Sequence, residues 1–426
     1  MEKTIRKIKQ VKGSFQIPAS KSHGQRVLAC AFINLNRTII YNLGISEDEQ
    51  GLLNLITDSG SIVENKEGKL CVVGIALKNL SALDLNCRES GLAARMITPI
   101  LANADFPILL NGHGSLLKRP MNQFDAILND LGVNFQSNEG KLPFQIIGPL
   151  KPQNVKIDGS LSSQFVTGLI LGFVASPLLK NETIEVLNPT SIPYIELTLD
   201  VLRNFGVELK FENNKIQFAG PYKLKETEIS IEGDWSSASF FLVAAAILGD
   251  ITIHGLNIES KQADRKILEA LQDFGADIQL ENGVRIIKNQ SKAFEFDATH
   301  CPDLFPPLAV LASFAQGESK IKGVSRLIHK ESNRAATIQS ELTKMGAHIS
   351  ISDDMMHIQG IEIAIGAKID PHGDHRIAMS CAIMALRAEG ETIIHNAEVV
   401  GKSFPTFFEY LNKINNGRNK IASSLS

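Results

Sequence analysis

Long apolar runs, paired cysteines and an excess of basic charge are all missing from this chain of 426 residues. Its most apolar stretches, SSQFVTGLILGFVA and SSASFFLVAAAILG, stop short of the roughly 20 residues a membrane-crossing helix needs. They read as buried core helices, and no membrane partner is expected. The five cysteines, Cys30, Cys71, Cys87, Cys301 and Cys381, are odd in number and form no C-x-x-C pair. That argues against a disulfide framework and a cysteine-based metal site, and suits a reducing cytoplasm. A formal charge of −3 leaves no basic surface for an obligate nucleic-acid partner. The opening MEKTIRKIKQVKGS lacks the apolar centre of a signal peptide.

What the sequence does have is repetition. An apolar residue followed four positions later by glycine recurs at Ile56–Gly60, Leu128–Gly132, Leu202–Gly206, Leu271–Gly275 and Leu342–Gly346. Leu411 continues the series without its glycine, and the spacing stays near about seventy residues. A glycine there predicts a left-handed helix terminus. After each glycine come two alternating segments around a polar turn, as in GVELKFENNKIQFAG, which predict hairpins. The sixth unit has none. The N-terminal stretch Lys3 to Ile17, turning near Lys12-Gly13, is expected to supply a hairpin to it. Six units are too much for one core, so two lobes are expected: 18–231, and 1–17 with 232–426.

A second helix in each unit is expected to start at Ser20, Ser90, Ser162, Ser236, Asp303 and Asp374. Ser and Asp are good N-caps, and one such start usually means capping alone. Six in register, aimed at one cleft, would offer free N–H groups and positive dipole ends to an anion. Around these starts lie PASKSHGQR, GSLLKRPM, HKESNR, GDHRIAMS and GKSFPTF, which set Lys and Arg beside glycine, proline and small residues. Most surface cations only solvate. Arginine in such surroundings suits bidentate recognition of carboxylate or phosphate, and lysine suits a point charge or proton donor. The implied ligand is small and highly anionic. His372 and His375 lack a third ligand nearby and read as structural, so no metal is expected.

In order along the chain, PASKSHGQR, Ser162-Ser163-Gln164, TSIPYIE, GDWSSASFF, CPDLFPPLAVLASFAQG, HKESNR, DHRIAMS and GKSFP resemble the EPSP synthase family, the shikimate-pathway branch of the enolpyruvyl transferases. The resemblance spans nearly the whole chain. It implies an α/β fold of the α+β type: a two-domain inside-out α/β barrel of six βαβαββ units, three per domain. It implies transfer of the enolpyruvyl group of phosphoenolpyruvate to the 5-hydroxyl of shikimate 3-phosphate by addition and elimination, with no cofactor; a monomer is expected. Glyphosate is expected to compete with phosphoenolpyruvate.

Carried over residue by residue, the resemblance makes Lys21, Asp303 and Glu331 the proton-transfer candidates. Shikimate 3-phosphate would meet Lys21, Ser22, Arg26, Ser162, Ser163, Gln164, Ser191 with Tyr194, Asp303, Arg326 and Lys330. Phosphoenolpyruvate would meet Lys21, Gly91, Arg119, Gln164, Arg334, Arg376 and Lys402. The chain departs from the family pattern at Glu89-Ser90-Gly91-Leu92, where Asn-Ala-Gly-Thr is common. It departs again at Gln25 and Asn333, and at Arg326, where asparagine is common. Two alternatives stay open. A sugar-nucleotide enolpyruvyl transferase typically has a cysteine where Gly114 stands, five residues before Arg119. A non-catalytic anion clamp would not need Asp303 or Glu331.

Overall fold

The computed structural model describes residues 1–66 and 68–414, with the backbone of Ala422–Ser424. The chain divides into two compact units, Ala19–Glu232, and Met1–Pro18 together with Gly233–Ser426.

One repeat shows how the rest are built. Asp84–Asn86 lies parallel to Ile108–Asn111, which pairs antiparallel with Lys141–Ile147, itself paired with Asn134–Asn138. Helix Gly91–Leu101 links the two parallel strands, and helix Gln123–Asp130 leads into the hairpin, giving βαβαββ. The same order recurs with Val155–Asp158 beside Thr183–Leu187. The third sheet of the Ala19–Glu232 unit takes its parallel strand from the unit's far end, where Thr227–Ser230 lies beside Arg37–Tyr41. The other unit closes in the same manner, with Val11–Gln16 parallel to Gly249–His254.

The N-terminal stretch is therefore not a hairpin. Glu2–Arg6 pairs antiparallel with Glu391–Ile394 of the sixth repeat, while Val11–Gln16 joins the sheet of the fourth. Gly13 sits inside the second strand rather than at a turn, opposite Ile251, with Ile414 packed 3.2 Å from where its Cβ would be. Burial of Ile5, Val11 and Phe15 fixes both strands.

The five glycines predicted to end helices all adopt positive φ, from 78° at Gly132 to 103° at Gly60. The second helix series is buried and surrounded by sheets, so the fold is an inside-out α/β barrel of repeated units. Helices Gly91–Leu101 and Ser163–Ala175 approach so closely that a Cβ on Gly168 would meet the Arg95 carbonyl oxygen at 2.0 Å, and one on Gly172 the Pro99 oxygen at 2.6 Å. The glycines thus set the spacing that brings the starts of these helices together. Two helix starts differ from expectation. Asp234, not Ser236, caps helix Trp235–Leu248, its carboxylate accepting from the Ser237 N–H at 2.7 Å. Asp303 is not a cap; it lies in the single turn Pro302–Leu304 before helix Phe305–Ser313, whose first-turn prolines need no capping partner.

Candidate active site

In the Ala19–Glu232 unit, Ser20 caps helix Lys21–Ile33, with its hydroxyl accepting from the His23 N–H at 3.3 Å. The cap places Lys21 and Ser22 in the first turn and Arg26 one turn on. The Lys21 Nζ donates to Asp48 at 3.0 Å; Asp48 lies in the first turn of helix Glu47–Asp58, fixed by a Ser46–Glu49 capping box. Arg26, 1% exposed, donates to Thr198 Oγ1 at 2.9 Å, the Ser22 carbonyl at 2.7 Å and the Tyr194 carbonyl at 3.3 Å. Its guanidinium also stacks over the Tyr194 ring. Arg26 therefore ties the Ser22 turn to the Ser191–Tyr194 turn, where Ser191 itself is left-handed at φ 50°. Burial pulls its pKa down to about 10, so it keeps its charge at neutral pH. Burial, with Arg26 beside it, holds His23 at about 4 and uncharged.

A second cluster in this unit gathers Gly91, Arg95, Arg119 and Gln164. Arg95 donates to Gln164 Oε1 at 2.9 Å and to the Gly91 carbonyl at 3.3 Å, and lies over the Phe165 ring. A Cβ on Gly91 would sit 2.6 Å from Arg119 Nη1 and 2.9 Å from Arg95 Nη1, so only glycine lets both guanidinium groups converge there. Ser162 caps the next helix through the Gln164 N–H at 3.3 Å, and Ser163 follows, 3% exposed.

In the other unit the structure gathers Asp303, Lys330, Glu331, Arg334 and Arg376. Arg334, 1% exposed, donates to Asp374 at 2.8 Å, to Asp303 at 2.7 Å and to Glu331 at 2.5 Å. Arg376 reaches Asp303 at 3.2 Å and Lys330 does so at 3.4 Å. Burial pushes the Asp303 carboxyl up, but Arg376, Lys330 and Arg334 together overcome it and hold Asp303 well below the usual carboxylate range. Lys330 is also lowered, chiefly by burial and with help from Arg334. Arg326, also lowered by burial, lies within the electrostatic reach of Asp303. Lys402 ends the turn Ala397–Lys402, which packs on helix His375–Ala385, and is 5% exposed. His372 meets Glu341 at 3.2 Å and His375 is buried. Among the described residues no group of three His, Cys, Asp or Glu side chains could hold a metal ion.

The chemistry this allows is anion binding coupled to proton transfer: an ionised carboxylate able to accept a proton beside buried cations. The EPSP synthase (3-phosphoshikimate 1-carboxyvinyltransferase) family model matches residues 5–411. The chain belongs to the EPSP synthase family. It is 35% identical to the 3-phosphoshikimate 1-carboxyvinyltransferase of Clostridium perfringens, covering 96% of this chain and 97% of that one. The enzyme of the same name from Clostridioides difficile is 34% identical, with 94% of each covered. Among solved structures, an EPSP synthase from Acinetobacter baumannii aligns with a TM-score of 0.80 at 29% identity, covering 97% of this chain and 98% of that one. The protein is thus an enolpyruvyl transferase of aromatic amino acid biosynthesis, acting on phosphoenolpyruvate and shikimate 3-phosphate.

Three participants escaped the sequence reading. Asp48, the partner of Lys21, sits in an acidic first turn that reads as an ordinary complement to the helix dipole. Asp374 was visible as a helix start but not as the buried counter-charge of Arg334. Asp264 carries no motif at all.

Proposed function

We propose that the enzyme divides proton transfer between an already ionised base, Asp303, and an acid drawn from Glu331 and Lys21. The carrying observation is the Asp303 carboxylate, held by Arg334, Arg376 and Lys330 with Glu331 bound to the same guanidinium. In the addition half-reaction a proton passes to the methylene carbon of phosphoenolpyruvate. The 5-hydroxyl oxygen forms a bond to the neighbouring carbon, and Asp303 takes the hydroxyl proton. In the elimination half the new methyl group returns a proton, the carbon–carbon double bond re-forms and phosphate leaves with its bonding electrons. Arg119 with Gly91 and Gln164, and Arg334 with Arg376 and Lys402, are assigned to phosphoenolpyruvate. Ser22, Arg26, Ser162, Ser163, Gln164, Ser191, Arg326 and Lys330 are assigned to shikimate 3-phosphate. Within that set Arg26 acts through the turns it ties together, since its donors already have partners.

The five free cysteines support a reducing, cytoplasmic setting. The test is Glu331→Gln and Asp303→Asn assayed by phosphate release, with shikimate 3-phosphate affinity measured separately. Turnover should fall by about 10² or more, the usual worth of a positioned acid or base. Glu331→Gln should largely spare shikimate 3-phosphate binding. Unchanged turnover in either variant removes that residue from the mechanism.

A further inference from the structure

Behind Asp303 lies a carboxyl group that the reaction as described does not use. Asp264, in the turn Ala263–Lys266, is 0% exposed. One of its oxygens meets only the Ser236 hydroxyl, and the other, Oδ1, is buried with no hydrogen-bond partner. No Lys, Arg or His forms an ion pair with it among the described residues, although Arg376 is near enough to feel its field. The Arg376 guanidinium is committed to Asp303 instead, at 3.2 Å.

A carboxylate in that position would be a buried charge with one oxygen unsolvated, which is among the most unfavourable arrangements a fold can hold. A carboxylic acid lowers that cost: the buried charge is gone, while Oδ2 still accepts from the Ser236 hydroxyl. The groups around it pull both ways, and those that disfavour ionisation prevail. The carboxylates of Asp303, from the turn Pro302–Leu304, and of Asp234, the cap of helix Trp235–Leu248, both disfavour ionisation, and burial does so most. Arg376, from helix His375–Ala385, and the Ser236 hydroxyl oppose, and together they place the Asp264 pKa at about 7. Cys301, beside Asp303, has its thiol pushed up by burial and contributes no charge. The neighbours of Asp264 in its own turn, Arg265 and Lys266, make no ion pair with it; Arg265 donates to the Ile258 carbonyl and Lys266 approaches Glu269.

We propose that Asp264 is a positioning residue whose neutral acid form leaves the Arg376 guanidinium to Asp303 and to the incoming phosphoenolpyruvate anion. Ionised, it would compete for Arg376 and add a negative charge beside the anion's assigned place. This rests on the assignment of Asp303 and Arg376 made above.

The experiment pairs a spectroscopic with a kinetic readout. Difference infrared spectra of the unliganded enzyme, taken from about pH 5.5 to about pH 8.5, begin where ordinary carboxylates are already ionised. A protonated-carboxyl band lost through the neutral range, and missing from Asp264→Asn, is expected. Over the same range KM for phosphoenolpyruvate should rise about three- to tenfold in the wild type relative to Asp264→Asn, while the ratio of kcat values stays flat. Absence of the band, or a KM profile shared by both proteins, overturns the proposal. If Asp264→Asn does not fold, the wild-type spectrum decides alone. Full turnover in Asp303→Asn would instead sink the Asp303 assignment and leave the infrared result standing.

Discussion

Gly91→Ala is the sharpest probe of the cluster in the Ala19–Glu232 unit, because the substitution adds one methyl group and nothing else. The Cβ would lie 2.6 Å from Arg119 Nη1 and 2.9 Å from Arg95 Nη1, where about 3.4 Å is the ordinary lower limit. The obstructing atoms are tips of flexible side chains, so the backbone keeps its place and the Arg119 guanidinium retreats by about 0.8 Å. At an effective dielectric of about 20, moving a charge pair from about 3.0 to about 3.8 Å loses about 1 kcal/mol. Disturbing one charge-assisted hydrogen bond adds about 1.5 kcal/mol or more. The sum is about 2.5 kcal/mol, or nearly two decades in affinity for phosphoenolpyruvate. Gly91 has helical, negative φ, and alanine is the better helix former by about 1 kcal/mol, so thermal stability should not fall. Steady-state kinetics with each substrate varied in turn should therefore show KM for phosphoenolpyruvate raised about 10- to 100-fold, with KM for shikimate 3-phosphate within about threefold of the wild type. Equal effects on both substrates, or none on either, would refute the assignment of Gly91 and Arg119 to phosphoenolpyruvate.

Removing the Arg334 head group with Arg334→Ala leaves buried Asp374 without its partner, and should cost about 3–5 kcal/mol, read by denaturant unfolding. Gly168→Ala drives a Cβ into the Arg95 carbonyl, which is backbone and cannot swing away, so a loss of about 1–3 kcal/mol and a lower Tm are expected. The Asp303 carboxyl is depressed in the folded protein, so its stabilising contribution is present above the unfolded carboxylate range near about 4 and disappears as pH falls through the folded value. Asp303→Asn should accordingly flatten the acid limb of the stability profile while leaving the slope above neutrality unchanged. Inhibition by glyphosate should be competitive with phosphoenolpyruvate; a purely noncompetitive pattern would place the two in different pockets.

The repeat was readable because it is written in two signals with rigid physical meaning, a terminal glycine and an alternating hairpin, and both recur wherever the fold needs them. Where one strand fits two sheets, the pattern of Val11, Phe15 and their neighbours fixes which face is buried but not which partner strand lies alongside. That is why the N-terminal stretch could be assigned to strands and still be paired wrongly. The cationic residues were legible for a similar reason: guanidinium groups beside glycine, as at Gly91, have few uses other than binding anions. Carboxylates gave no such sign. Asp48 looks like dipole compensation, and Asp264 looks like any acid in a polar turn, because what distinguishes them is burial and the absence or presence of a partner far along the chain. Sequence spacing records neither.

Those carboxylates decide how the cations behave. In the Gly233–Ser426 unit, Lys330, Arg334, Arg376 and Arg326 surround Asp303, Glu331 and Asp374, so the cluster carries only a small positive excess before any substrate arrives. Were the excess larger, the arginines would repel one another and the cluster would need an anion merely to stay assembled. Were it zero, nothing would favour a phosphate over water. A margin of about one charge makes each neighbouring ionisation count, since one added charge a few ångströms away changes the binding energy by about 1–4 kcal/mol across the dielectric range of a protein surface. Burial and the neighbouring carboxylates raise the buried Asp264 carboxyl of this unit to about 7. Keeping it neutral preserves that margin, and its single hydrogen-bonding neighbour, Ser236, is the hydroxyl that the repeat pattern had marked as a helix start. The position predicted to cap a helix instead hydrogen-bonds the carboxyl whose neutral form keeps the cluster positive.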